Sequence, residues 1–206
     1  MKILLVNGSG RQHGCTDAAL REMEKVFRSL GAEAELYWIG NQPIGGCVAC
    51  HACYKTGKCA FGGGVNEFVE KARGFDAFVF GTPVHYAAAS GNLTSLLDRA
   101  FFTGADAFRR KPCAVIASAR RAGTTAAYEQ LIKYPGITEM PIISSSYWNM
   151  VHGSRPEDVA KDEEGLRTLR VLARNMVYFL QCMEAGRAAG VSEPEAEPRV
   201  MTNFIR

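Results

Sequence analysis

Four cysteines fall within thirteen residues, at Cys47, Cys50, Cys53 and Cys59, in the spacing C-x2-C-x2-C-x5-C. Thiolates are soft ligands suited to iron–sulfur clusters and zinc, and tandem C-x2-C loops let several sulfurs face one point. Lys55 and Lys58 favour thiolate over thiol, and Gly45 and Gly46 allow tight turns. A cluster or metal site on these four cysteines is the first expectation. Zinc ranks last, because a C-x2-C knuckle normally pairs with a second one well separated in sequence. His51, lying between two of the cysteines, is expected to face solvent, since four sulfurs already complete a shell. The remaining cysteines are read differently. Cys113 and Cys182 are expected as small buried hydrophobes, and Cys15 belongs to a second motif.

That motif is Asn7-Gly8-Ser9-Gly10-Arg11-Gln12-His13-Gly14-Cys15-Thr16. It runs from an apolar stretch into a helical pattern. A loop between a parallel strand and a helix N-terminus points backbone N–H groups and the positive helix end at one spot, an anion site whose usual occupant is phosphate. Ser9 and Thr16 add hydroxyls, Arg11 a charged fork, and Gly8, Gly10 and Gly14 let the backbone close around a ligand. The loop is neither a Walker loop nor G-x-G-x-x-G. Alone it could be a plain Gly-rich turn. A second segment, Gly81-Thr82-Pro83-Val84-His85-Tyr86 followed by Ala87-Ala88-Ala89-Ser90-Gly91, points instead to a ligand crevice. It ends another strand and should face the same crevice. Pro83 stiffens it, Tyr86 offers an aromatic face, and the small residues leave room for a flat ring. Ser118 to Thr125 and Ser146 to Val151, with Tyr147, Trp148 and Asn149, end the next two strands and are expected on an aromatic wall of that crevice. His13 and His85 are read as hydrogen-bond donors, not catalytic bases, and no nucleophile–base–acid set stands out. Asp98-Arg99 reads as a helix-surface or subunit salt bridge.

These motifs need an alternating scaffold. Strands are expected over 2–7, 34–39, 76–81, 112–118 and 140–145, and helices over 16–30 (capped by Thr16), 65–73, 90–102, 125–134 and 158–186. Five strands alternating with helices predict a doubly wound, five-stranded parallel sheet in a three-layer α/β/α arrangement. With 206 residues, 47% hydrophobic and 22% charged, the expectation is one domain over 1–206, with a cysteine loop at 45–64 and a C-terminal arm at 190–206. A net charge of +3 without long basic runs implies neither nucleic acid nor a membrane surface as partner. No stretch reads as a signal or a membrane span. A cytoplasmic protein is expected, and its reducing compartment argues against a disulfide framework.

Taken together, Gly8-Ser9-Gly10-Arg11, Gly81 to Tyr86, Tyr147-Trp148-Asn149 and the cysteine spacing resemble the flavodoxin-like, NADPH-dependent FMN reductase superfamily, and within it the iron–sulfur flavoproteins. The resemblance extends to the closing Thr202-Asn203-Phe204-Ile205-Arg206. It implies a non-covalent FMN, its phosphate on Ser9, Arg11, Gly14, Cys15 and Thr16 and its ring against Pro83, Val84, His85 and Tyr86, with Ser118, Arg120 and Ala122 at the other edge. It also implies a [4Fe–4S] cluster on Cys47, Cys50, Cys53 and Cys59, and NAD(P)H or ferredoxin as electron donor. A homodimer or homotetramer is implied as well, because relatives complete the flavin pocket across subunits. The function expected is an FMN-dependent oxidoreductase moving electrons between a reduced donor and an acceptor. Rival readings are a cluster-free NAD(P)H-dependent FMN or quinone reductase, and a non-catalytic redox carrier or sensor. The chain departs from relatives at Ala60-Phe61-Gly62-Gly63-Gly64, where they often carry acidic residues; the glycine run favours a mobile loop.

Overall fold

Ile3 and Leu5 lie on one face of the first strand and Leu4 and Val6 on the other, and all four are fully buried. Such a strand must be covered from both sides. The computed structural model describes residues 1–198, 200–202 and 204; Asn203, Ile205 and Arg206 of the closing segment lie outside them. The chain runs β1 (Lys2–Asn7), α1 (Cys15–Ser29), β2 (Glu33–Trp38), α2 (Ala52–Thr56), α3 (Val65–Arg73), β3 (Ala77–His85), β4 (Ala88–Ala89) and α4 (Gly91–Gly104). It continues with β5 (Cys113–Ala119), α5 (Thr124–Ile137), β6 (Met150–His152), α6 (Pro156–Val159) and α7 (Glu163–Ala188).

The parallel strands are ordered β2-β1-β3-β5-β6, and β4 pairs antiparallel with the end of β3. This is the doubly wound three-layer α/β fold that the alternation predicts. Ile3, Leu5, Val79 and Ile116 pack with Leu20, Met23 and Phe27 of α1 and Leu169, Leu172 and Met176 of α7. On the opposite face Leu4, Val6, Phe78, Phe80 and Val115 pack with Phe68, Leu93, Leu97 and Leu131 of α3, α4 and α5. Phe101 and Phe108 stack there with ring centroids 4.4 Å apart. The sheet order reverses between β1 and β3, and in such sheets ligands bind outside the C-terminal strand ends at that point. Among the described residues no helix is long and apolar enough to cross a membrane.

Three expectations about elements need correction. Residues 140–145 are not the fifth strand. Ile142 makes one isolated bridge to Cys113, and the ladder with β5 resumes only at Met150–His152. The expected run contains Pro141, which cannot donate to a ladder; its carbonyl accepts from Cys113 N. The long helix expected over 158–186 is two helices, because Asp162 caps α7 afresh by accepting from Gly165 N at 2.9 Å. Thr16 does not cap α1. It lies inside the helix, and the cap position is Gly14, with no side-chain cap bond. Of the two cysteines expected as buried hydrophobes, Cys113 is buried and Cys182 is exposed, because α7 turns that position away from the sheet.

Candidate functional site

The loop after β1 is organised before any ligand arrives. Asn7 is 1% exposed; its amide oxygen accepts from Ser9 N at 3.0 Å and its Nδ2 donates to the Gln12 carbonyl. Ser9 Oγ accepts from Arg11 N at 3.1 Å, and Trp38 Nε1 donates to the Ser9 carbonyl at 2.7 Å. Gly8 N bonds Gly81 O, tying the loop to β3. A Cβ on Gly8 would lie 2.7 Å from Leu93 Cδ2 and 2.9 Å from Gly81 O, so only glycine permits this approach. Gly14 contributes no side-chain cap, among the described residues no side chain bonds the first N–H groups of α1, and the positive helix end faces the cavity.

That cavity has a volume of about 550 Å³. Ser9, Arg11, Gly14, Cys15, Thr16, Pro83, Val84, His85, Ser118 and Arg120 all line it, together with Gly10 and His13. Loops from β1, β3 and β5, distant in sequence, thus meet at the sheet's C-terminal edge. Thr16 Oγ1 and Ser118 Oγ lie 2.8 Å apart and join two of them. Cys15 Sγ donates to Gly153 O at 3.4 Å. Burial pushes its thiol up and nearby Asp158 adds to the effect, so it stays protonated at neutral pH.

Two expected residues do not line the cavity. Tyr86 and Ala87, both at positive φ (+50° and +59°), form the two-residue connection between β3 and β4. This hairpin swings the Tyr86 ring wholly into solvent. Ala122 precedes Gly123, which at φ +91° lies so close to the hairpin that a Cβ there would stand 2.7 Å from Ala87 Cα. The aromatic wall is also corrected. Tyr147 and Trp148 stand edge to face, half exposed, beside Met150, His152 and Thr168 in a separate small pocket. Asn149 turns inward, and its Nδ2 donates to Val115 O.

Sequence reasoning missed Gly153, Ser154, Arg155 and Pro156, which form one wall of the cavity. The signal was present: a Gly-Ser-Arg-Pro turn between a strand and a helix. It was obscured because the fifth strand was expected too early. Asp158 shapes this turn by accepting from Ser154 N and Arg155 N, each at 3.1 Å. Those two N–H groups, Arg155 first, hold its carboxyl below the usual carboxylate range.

The cysteine loop sits apart from this cavity. Between β2 and α2 the chain has no regular element. Cys47, Cys50, Cys53 and Cys59 nevertheless line one pocket with Phe61, Arg99 and Phe102. His51 is exposed as expected, at φ +57°, with its ring 5.1 Å from that of Tyr54. Asn66 fixes the far end of the loop, accepting from Cys59 N and donating to Cys59 O. Arg99 is not the surface ion-pair residue expected. It is buried on α4 and donates from Nε and Nη2 to Cys59 Sγ at 3.3 and 3.2 Å. Burial raises the Cys59 thiol, but the Phe61 N–H and the Arg99 guanidinium outweigh it and bring it below its ordinary value. The cation that acts on the Cys59 sulfur is Arg99.

The donor set fits a thiolate-bound metal group: four sulfurs and no carboxylate share one pocket with a buried cation. The pocket holds about 20 Å³, and among the described residues no three such side chains converge at metal-binding distances. The cavity likewise fits a phosphorylated ligand, with uncapped helix N–H groups, two hydroxyls and an arginine around it.

Known proteins bear on both regions. The chain is 26% identical over 192 residues to an iron–sulfur flavoprotein of Methanocaldococcus jannaschii, covering 89% of this chain and 100% of that one. Its fold is similar to that of RosB, solved with a bound 8-demethyl-8-formylriboflavin-5'-phosphate intermediate, with a TM-score of 0.72 and 13% identity over 100% of this chain and 93% of that one. The flavodoxin-like WrbA-type protein of Agrobacterium tumefaciens matches with a TM-score of 0.62 and 16% identity, over 87% of this chain and 98% of that one. A family model for NADPH-dependent FMN reductases matches residues 1–155. With the β1–α1 loop, the 81–86 segment and the strand order already in place, this match settles the assignment: the chain belongs to the NADPH-dependent FMN reductase family, as an FMN-binding flavoprotein of flavodoxin-like fold.

Proposed function

We propose that this chain is an FMN-dependent oxidoreductase that moves electrons between a reduced donor, NAD(P)H or ferredoxin, and an acceptor, with a [4Fe–4S] cluster on its cysteine loop. The observation that carries the reading is the pairing of two built regions on one scaffold: a phosphate-ready cavity at the β1/β3 switch point and a pocket shared by four cysteines. When bound, FMN supplies one- and two-electron chemistry and an iron–sulfur cluster supplies one-electron transfer. The rest is the work of the chain. Ser9, Thr16, Arg11 and the first N–H groups of α1 bind the phosphate, with Gly14 and Cys15 closing the backbone around it. Pro83, Val84 and His85 border the ring on one side, and Ser118 and Arg120 on the other. Cys47, Cys50, Cys53 and Cys59 hold the cluster. Assembly as a homodimer or homotetramer belongs to the same reading, and Tyr86, fully exposed on its hairpin, is free to reach a second copy. A monomer by light scattering would overturn the assembly.

One observation favours a second reading. The narrow pocket, about 20 Å³ in volume, suits a cluster-free NAD(P)H-dependent FMN or quinone reductase. An anaerobic visible spectrum with iron and acid-labile sulfide counts on freshly purified protein separates them. Broad absorption over the flavin bands with about four iron and four sulfide per chain supports the cluster. Two clean flavin bands without iron support the cluster-free reductase, and no chromophore sinks both. NAD(P)H bleaching the flavin, with turnover of ferricyanide or a quinone, separates either enzyme from a passive carrier.

A further inference from the structure

Arg99 sits mid-way along α4 with 4% of its surface exposed. Its guanidinium reaches across the cysteine run. Nη1 donates to Gly45 O at 3.2 Å, Nε and Nη2 to Cys59 Sγ, and Nη2 also to Gly62 O. One side chain therefore grips the chain just before Cys47 and again at and after Cys59. Gly62, Gly63 and Gly64 all adopt positive φ (+55°, +70° and +75°), and a Cβ on Gly63 would lie 3.4 Å from Arg99 Nη1. The glycine run is thus what folds the chain back over the guanidinium.

The partners of this cation are unusual. They are a sulfur and two carbonyls, and among the described residues no carboxylate lies within ion-pair distance of Arg99. The adjacent Asp98 is engaged elsewhere, accepting from Tyr134 Oη at 2.5 Å. A buried cation without an anion is costly, so such groups occur beside a source of negative charge. Among the described residues the only candidates lining this pocket are the cysteine sulfurs.

We propose that Arg99 is the positioning residue of the cysteine loop: its fork pins both ends of the loop to α4 and supplies the counter-charge for an anionic, thiolate-bound group on Cys47, Cys50, Cys53 and Cys59. The pinning stands on geometry alone; the counter-charge rests on the cluster reading above. Lysine cannot replace the fork, because a single ammonium does not span three acceptors in fixed directions.

The test compares full-length wild type with Arg99→Gln and Arg99→Lys. Limited trypsin digestion of the cluster-free protein reads the pinning through cleavage at Lys55 and Lys58. Arg99→Gln is expected to be cut about tenfold faster, as loss of charge-assisted hydrogen bonds shifts local opening, with Arg99→Lys between. Anaerobic reconstitution with iron and sulfide then reads the counter-charge. Arg99→Gln should take up less iron per FMN, and its residual cluster should have a more negative reduction potential, since removing N–H···S donors and a positive charge disfavours the added electron. Wild-type digestion rates in Arg99→Gln overturn the pinning. Equal iron uptake at an equal potential overturns the counter-charge. If wild type takes up no iron, the cluster reading fails with the counter-charge, while digestion still decides the pinning. If Arg99→Gln loses FMN and does not fold, Arg99→Lys decides: faster digestion and weaker loading support the proposal, and wild-type behaviour in both overturns it.

Discussion

At the crevice, Ser9, Thr16, Pro83 and Ser118 hang from the ends of β1, β3 and β5 or the start of α1, whereas Cys47 and Cys50 ride on the thirteen residues from Ile39 through His51, which contain no helix or strand. The first region takes its shape from the sheet. Its loop is tied by backbone and buried side-chain bonds through Asn7, Gly8 and Trp38, and several donor groups line one cavity. The second takes its shape from a few side chains reaching out of α3 and α4. Asn66 and Arg99 hold its far end, and Asn92 holds Ile44 N near its start. The difference teaches that a site can be distributed over a scaffold or clipped onto it. The two forms should fail differently when single residues are removed.

The largest effect is expected at the clipped region. Cys59→Ala should abolish cluster loading, measured as iron and sulfide per chain, while FMN content stays at the wild-type level. Joint loss of FMN would break the separation drawn here. Next comes Gly8→Val, which drives side-chain atoms into Leu93 and the Gly81 carbonyl. Overpacking of this kind costs about 1–3 kcal/mol. It should appear as a lower denaturation midpoint together with weaker FMN binding, since the fold and the loop share this glycine. Arg11→Ala removes one charged contact among several, each worth about 1.5–3 kcal/mol. FMN affinity, read by fluorescence titration of apoprotein, should fall at least about tenfold without loss of stability. Unchanged affinity removes Arg11 from the site. The smallest effect is expected for Asn66→Ala. It gives up two neutral hydrogen bonds to Cys59, about 1 kcal/mol each, and should speed loop proteolysis a few-fold while leaving FMN untouched.

How far each region was legible in the sequence follows from the same contrast. Apolar runs such as Ile3-Leu4-Leu5-Val6 and the periodic Leu93, Leu96, Leu97 and Ala100 report burial directly, so strands, helices and the three layers could be read from them. The β1–α1 loop was legible as a cavity wall because its parts are contiguous. Arg155 was not, because it depends on where the fifth strand lies. There Pro141 and the inward turn of Asn149 redirect a chain whose composition looks like an ordinary strand. Arg99 was hidden for another reason: an arginine next to an aspartate on a helix gives no sign of which neighbour it faces. Only the tertiary path, with Asp98 turned to Tyr134 and Arg99 to Cys59, separates them. Tyr86 misled through its direction, as the left-handed hairpin points its ring outward.

The interrupted pairing along the outer side of β5 has a consequence of its own. Exposed sheet borders are templates on which other chains can add strands, and proteins blunt them with short, broken or charged segments. Here one border is a single bridge at Ile142, an excursion, and then three residues of β6. The opposite border, β2, carries Glu33 and Glu35, paired with Lys2 and Lys71. Neither side offers a long uncharged row of free backbone groups. Extension of the sheet from one molecule into the next, the usual start of fibrous aggregation, is therefore disfavoured at both ends.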